Sequence, residues 1–219
     1  NKEKICESGG ITTIDLRDGP GSDPYRCQCP FGFTGKHCSI KLGVRKPQSC
    51  IIAGWQKSFN KKGWSTCGSN YKFITGFRRS QFNNTNVDGI HNLQKANCCS
   101  SNNIHKGQSS TCQNVSWQTS STINDTWGVC PYGYFINGLF RTNGQRLNNI
   151  EQGKCCKPVN HPDKYGDCYD EDISEKFNKK GWVTCKNGGY YIAGLFRSPG
   201  GEWLHNIDKL KCCKMVEVI

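Results

Sequence analysis

The chain has 219 residues, 16 of them cysteine, a net charge of +12 and only 35% hydrophobic residues. That cysteine usage excludes a protein kept reduced in the cytosol and points to a disulfide framework formed in an oxidising, secretory environment. No apolar run reaches membrane-spanning length, and the low apolar content favours small cores between many turns, with bridges each supplying roughly 2–4 kcal/mol of stability.

Residues 1–42 read as a separate module. It holds Cys6, Cys27, Cys29 and Cys38, and its end runs CQCPFGFTGKHC. Glycines at 32 and 35 permit turn angles that other residues avoid, and Phe33 sits where it can pack on a tight hairpin. The C-x-C-x8-C spacing resembles the C-terminal half of an EGF-like module, with four of that family's six cysteines. The resemblance implies Cys29–Cys38 and Cys6–Cys27 bridges, with ESGGITTIDLRDGPGSDPYR as a loose loop between Cys6 and Cys27 and a spacer or adhesion role for the module. Asn1 reads as the start of a mature or trimmed chain.

A short basic linker, residues 41–46, ends at Pro47 and leads into residues 43–219, the second domain. There one pattern occurs three times, over residues 50–99, 112–156 and 168–213. Each copy has a first cysteine (Cys50, Cys112, Cys168), a second after a tryptophan (Cys67, Cys130, Cys185), and a terminal pair (Cys98–Cys99, Cys155–Cys156, Cys212–Cys213). The first gap is 16, 17 and 16 residues and the second 30, 24 and 26, with the length change confined to one Gly/Asn-rich loop. Three ordered matches establish an internal repeat. A unit of about 50 residues buries little alone, so the copies should pack as one body.

Within each copy the pattern predicts strands. YKFITGF, GYFINGLF and GYYIAGLF are aromatic and β-branched, bounded by turn residues. A glycine recurs inside each, at 76, 138 and 194, and marks a bulge or a close backbone approach. A strand carrying Trp64, Trp127 or Trp182 precedes the second cysteine, and a last element with Leu93, Ile150 or Ile207 runs into the pair. Adjacent cysteines rarely bond to each other, so each pair should reach back to the two earlier cysteines; which takes which stays open. The fold class is therefore all-β and disulfide-rich, a small module followed by a β domain with pseudo-threefold repetition. A tryptophan before a cysteine, a strand of the type N-G-x-x-x-x-G-x-x-S/R and a terminal Cys-Cys resemble dermatopontin over roughly 40 residues of each copy. That resemblance implies an all-β fold and a role in matrix binding or cell adhesion.

Two features could carry recognition. The first is a repeated polar set: Arg79, Arg141 and Arg197 at one position, Asn92, Asn149 and Asn206 at another, with His91, Asn148 and His205 beside the latter. Arginine offers a planar donor fork suited to carboxylate or sulfate, and asparagine offers donor and acceptor together for sugar hydroxyls. The alternative is that these residues serve the fold, the arginines covering an aromatic ring or pairing with a carbonyl. The second feature is charge. Residues 43–104 carry nine Lys/Arg against one acidic residue, whereas residues 161–219 carry nine of each. Lys61 and Lys62, in the turn FNKKGW, belong to this basic segment, and the same turn recurs at Phe177–Trp182. The acidic stretch DCYDEDISE, residues 167–175, reads as a solvated turn or a partner for the basic first copy.

Sequons at Asn83, Asn114 and Asn124 agree with secretion. No zinc-knuckle spacing, H-E-x-x-H or G-x-S-x-G motif occurs, so no metal, cofactor or enzymatic activity is expected. The expected partners are acidic or neutral glycans, matrix glycoproteins or a cell surface, without nucleic acid or membrane insertion. The expected function is a secreted adhesion or matrix protein. A lectin with one sugar site per copy and a disulfide-rich venom or signalling ligand are the alternatives.

Overall fold

The computed structural model describes residues 6, 11–14, 25–28, 33–34, 37–38, 40–41, 49–81, 88–102, 104–118 and 125–216. The chain divides into two compact units, residues 1–47 and 48–219. In the first unit β1 (Ile11–Ile14) pairs antiparallel with β2 (Tyr25–Gln28), and β3 (Phe33–Thr34) with β4 (Ile40–Lys41). The Cys6–Cys27 bridge is present. Cys29 lies outside the described residues, and with it the expected Cys29–Cys38 bridge.

The second unit is all-β, and each copy supplies four strands. The first gives β5 (Cys50–Gly54), β6 (Gly63–Thr66), β7 (Lys72–Arg79) and β8 (Leu93–Ser100). The second gives β9 (Ser110–Ser116), β10 (Thr126–Val129), β11 (Phe135–Arg141) and β12 (Ile150–Pro158). The third gives β13 (Cys168–Asp172), β14 (Gly181–Thr184), β15 (Tyr190–Arg197) and β16 (Ile207–Lys214). The expected tryptophan strands are β6, β10 and β14, and the last strand of each copy starts at Leu93, Ile150 or Ile207.

The copies are not independent. The three four-stranded sheets have the orders β14-β7-β8-β5, β6-β11-β12-β9 and β10-β15-β16-β13. Each tryptophan strand has left its own copy and paired with the central strand of the next: β6 with β11, β10 with β15, β14 with β7. Strand donation therefore runs in a closed cycle, and every sheet is built from two copies.

The disulfides follow the same cycle. The first cysteine of each copy takes the last, Cys50–Cys99, Cys112–Cys156 and Cys168–Cys213, as directly opposed pairs within one sheet. The second takes the third, Cys67–Cys98, Cys130–Cys155 and Cys185–Cys212. Because the second cysteine follows the donated strand, each of these bridges ties one sheet to its neighbour. Trp55 Nε1 donates to Thr66 O at 3.1 Å, and Trp117 Nε1 to Val129 O at 3.1 Å, adding further cross-sheet ties.

The recurring glycine is both a bulge and a close approach. Register shifts fall between Ile74 and Gly76, Ile136 and Gly138, and Ile192 and Gly194. A Cβ on Gly76 would lie 2.4 Å from Thr184 Cγ2, and one on Gly138 would lie 2.7 Å from Ser65 O. The donated strand thus lies flush against the glycine of its acceptor. Gly138→Ala should destabilise the protein by about 1–3 kcal/mol, the usual range for overpacking, seen as a lower urea midpoint.

One buried apolar cluster spans all three copies, from Trp55, Phe59 and Ile74 through Ile136 and Leu139 to Ile192 and Leu210. A second gathers the aligned rings of Phe73, Phe135 and Tyr191, whose centroids lie 5.3–5.9 Å apart in edge-on contacts. The three 3₁₀ turns before the last strands (Ile90–Asn92, Leu147–Asn149, Leu204–Asn206) link in the same cyclic sense. Ile90 N donates to Gln145 O (2.9 Å), Leu147 N to Glu202 O (2.6 Å) and Leu204 N to Asp88 O (2.9 Å). Three chemically equivalent positions thereby meet as one ring of backbone hydrogen bonds.

The acidic stretch at 167–175 is not a turn. It forms β13 and the start of helix α1 (Ser174–Phe177). Glu171 is 3% exposed and pairs with Lys186 Nζ at 2.9 Å, and Tyr190 donates to Asp167 Oδ2 at 2.5 Å. Alternation along the strand turns Glu171 inward, and its cation comes from the same copy rather than from the basic first one.

Candidate functional site

The repeated polar set sits inside the fold. Arg79, Arg141 and Arg197 are 1%, 2% and 7% exposed. Each ends a central strand, and its Nε or terminal nitrogens reach carbonyls of the following loop: Ser80 O at 3.2 Å, Thr142 O at 3.1 Å and Gly201 O at 3.1 Å. Two of them also grip the donating copy. Arg141 Nη1 donates to Phe59 O at 2.6 Å and lies over the Phe59 ring, while Arg79 Nη1 donates to Phe177 O at 2.5 Å and lies over the Phe177 ring. These phenylalanines open the FNKKGW turns that launch the donated strands. Arg79 and Arg141 are latches on strand exchange, and burial alone lowers the Arg141 pKa from its ordinary value.

The asparagines organise the 3₁₀ turns. Asn149 Oδ1 accepts from Arg146 N and Asn206 Oδ1 from Trp203 N, both at 3.1 Å, while Asn92 Oδ1 accepts from Ser80 Oγ at 2.9 Å. Beside them, His91 Nδ1 meets Gln145 Oε1 at 2.7 Å and His205 Nδ1 meets Asp88 Oδ2 at 2.9 Å, again between neighbouring copies. Asn148 holds the equivalent, half-buried place in the second copy. The set does come together at a threefold apex, with its arginines, its histidines and Asn92, Asn149 and Asn206 hydrogen-bonded within the domain.

The cations are arranged differently from what sequence order suggests. Strand exchange carries the exposed Lys61–Lys62 turn to the second sheet, at the start of β6. It brings the exposed Lys179–Lys180 turn of the third copy to the first sheet, at the start of β14. The basic first copy is therefore joined by the lysine pair of the third. Asn114, the sequon residue within the described residues, is exposed on edge strand β9 opposite Lys154 of the second sheet. Asn83 and Asn124 lie outside the described residues.

The faces of the three sheets can be compared row by row, because directly opposed residues share a face. In the second sheet Trp64 stands beside Phe140, ring centroids 5.3 Å apart, with Gln152 next in the row. In the third, Trp127 stands beside Phe196 at 5.1 Å, Lys209 Nζ lies over the Phe196 ring, and Asp172 faces Lys209. In the first sheet the row is Trp182, Arg78, Lys95 and Gly54. Arginine has replaced phenylalanine, and glycine stands where the third sheet has an acid. Trp182 is 38% exposed. The side chains of Arg78, Lys95, Lys179 and Lys180 form no hydrogen bond or ion pair among the described residues. Lys95 and Arg78 were not singled out by repetition; the signal is that position 78 departs from the Phe140 and Phe196 of its sister copies.

An apolar cavity of about 50 Å3 opens between Trp117, Leu147, Ile150, Leu195 and Ile207. Ligand pockets run to about 300–1,000 Å3 and carry convergent polar groups, so this cavity is a packing gap.

No protein-family model and no solved structure matches the chain. Among curated proteins, a segment of 40 residues is 45% identical to part of "Anterior pharynx in excess protein 1" of Caenorhabditis elegans. The match covers 18% of this chain and 7% of that protein, a short stretch of each.

Proposed function

We propose that this protein is a secreted extracellular adhesion or matrix protein whose repeat domain binds acidic glycans or the glycoproteins that carry them. The observation that carries this reading is the charge of the first sheet. Its strands β5, β7 and β8 carry Lys72, Arg78, Arg79 and Lys95 and no acid, and the Lys179–Lys180 turn joins them at β14. The side chains of Arg78, Lys95, Lys179 and Lys180 have no internal partner among the described residues. Unpaired cations gathered on one side of a domain create a field that attracts polyanions. Seven described disulfides, with no free cysteine among the described residues, suit an oxidising extracellular environment. Among the described residues no helix is long and apolar enough to cross a membrane.

The test is a glycan array holding sulfated, uronic and neutral sugars, probed with the whole chain at low and physiological salt. Binding to sulfated or uronic chains should weaken steeply with ionic strength, as contacts between exposed charges do. Salt-insensitive binding to a neutral sugar, or no glycan binding at all, would overturn the reading.

A further inference from the structure

We infer that the glycan contact is one row of side chains across the first sheet, Trp182–Arg78–Lys95, and that its ligand is a sulfated polysaccharide. This rests on the acidic-glycan reading and adds a place, a single copy number and a required substituent. Strands β14, β7 and β8 lie side by side, and the register Trp182↔Arg78↔Lys95 puts all three on one face. Adjacent strands are about 4.8 Å apart, so the row spans about 10 Å, enough to meet neighbouring sugar units of one chain.

The chemistry of the row is complementary to a sulfated sugar. The indole of Trp182 has no aromatic partner among the described residues and is 38% exposed, leaving ring area for the C–H face of a pyranose. Arg78 offers a planar fork that takes two sulfate oxygens at once, a geometry lysine cannot match. Lys95 adds a point charge one strand further, and the exposed Lys179–Lys180 turn adds more at the β14 edge.

Threefold repetition does not give three such sites. Phe140 and Phe196 fill the Arg78 position in the other sheets and cover Trp64 and Trp127. In the third sheet, register sets Asp172 against Lys209 and Asp170 against Lys211. In the first sheet the strand beyond Lys95 presents Gly54, and beyond Asn97 presents Ile52. Only the first sheet therefore joins an exposed indole to cations that no acid opposes.

The sister copies also supply the variant least apt to damage the fold. Arg78→Phe installs the tryptophan–phenylalanine pair already present twice. With a heparin-derived hexasaccharide as probe, Arg78→Phe and Trp182→Leu should each weaken binding by about tenfold or more, the scale of losing a charge-assisted hydrogen bond or a stacked ring. Thermal midpoints should stay near wild type. Arg78→Lys should recover part of the affinity, Lys106→Gln should leave it within about twofold on the scale of one screened surface charge, and the desulfated hexasaccharide should bind wild type weakly. Retention of wild-type affinity by Arg78→Phe and Trp182→Leu, together with its loss in Lys61→Ser/Lys62→Ser, would overturn the row while the acidic-glycan reading stands. Failure of the wild-type chain to bind the sulfated probe would overturn both.

Discussion

Replacing Asp88 by alanine should cost the folded protein about 3–5 kcal/mol, the scale for removing one partner of a buried ion pair. Asp88 is 1% exposed and its carboxylate collects donors from two copies. Arg79 Nη1 approaches Oδ2 at 3.0 Å and Arg79 Nη2 approaches Oδ1. Asn92 Nδ2 donates to Oδ1 at 3.2 Å, and His205 N donates to Oδ2 at 2.8 Å. Without the carboxylate, a guanidinium with no side-chain exposure remains charged beside the Phe177 carbonyl and the Ser80 carbonyl. The variant should show a large fall in urea midpoint with little change in slope. The exposed pair Arg146–Glu202 gives the contrast: its side chains are 60% and 30% exposed, and Glu202→Gln should cost less than about 1 kcal/mol. An Asp88→Ala loss as small as that would show that the apex does not hold the ring together.

Acid should weaken the protein through His161. This ring is 1% exposed, and its pKa is lowered to about 4, first by burial, then by the neighbouring His105 and Lys157 charges. Its Nε2 accepts the Val216 amide at 2.9 Å, while His105 Nε2 donates to the Val216 carbonyl at 3.0 Å. The neutral His161 ring is thus part of a clasp on the peptide after the last strand. With the unfolded pKa near 6.5 and the folded pKa near 4, the unfolded chain binds the extra proton in between. Stability should therefore be full above about pH 6.5 and fall by about 3 kcal/mol as pH drops toward 4. Urea midpoints measured across that window should flatten in His161→Asn, and exchange of the Val216 amide should accelerate in wild type. An acid limb unchanged by His161→Asn would assign the loss elsewhere.

Strands, bulge glycines and cysteine roles were legible in the sequence because each is a local demand repeated three times. Gly76, Gly138 and Gly194 sit where the donated strand crowds the space of a Cβ, and the terminal cysteine pairs do reach back to the two earlier cysteines. Strand exchange was not legible. Repetition makes the acceptor strands β7, β11 and β15 nearly equivalent partners for Trp64, so sequence cannot say which copy receives it. The same ambiguity hid where the lysine turns go. The polar set illustrates a second limit. Arg79 and Arg141 recur because each holds the turn of a neighbouring copy, whereas Arg78 is one cation of a basic segment and a break in the repeat. Unopposed charge on one sheet could be seen only once the register was known.

Cyclic donation also fixes when the protein can finish folding. The first sheet begins at Cys50 and is completed by β14, at Gly181–Thr184 of the third copy. During synthesis the central strand β7 therefore waits, one edge bare, until nearly the whole domain has been made. No copy completes its sheet from its own strands, and the contacts that close the ring are among the most distant in the chain, the kind that slow folding. The first copy is the earliest to be made, yet its sheet is completed only after that of the second copy, which closes at β12.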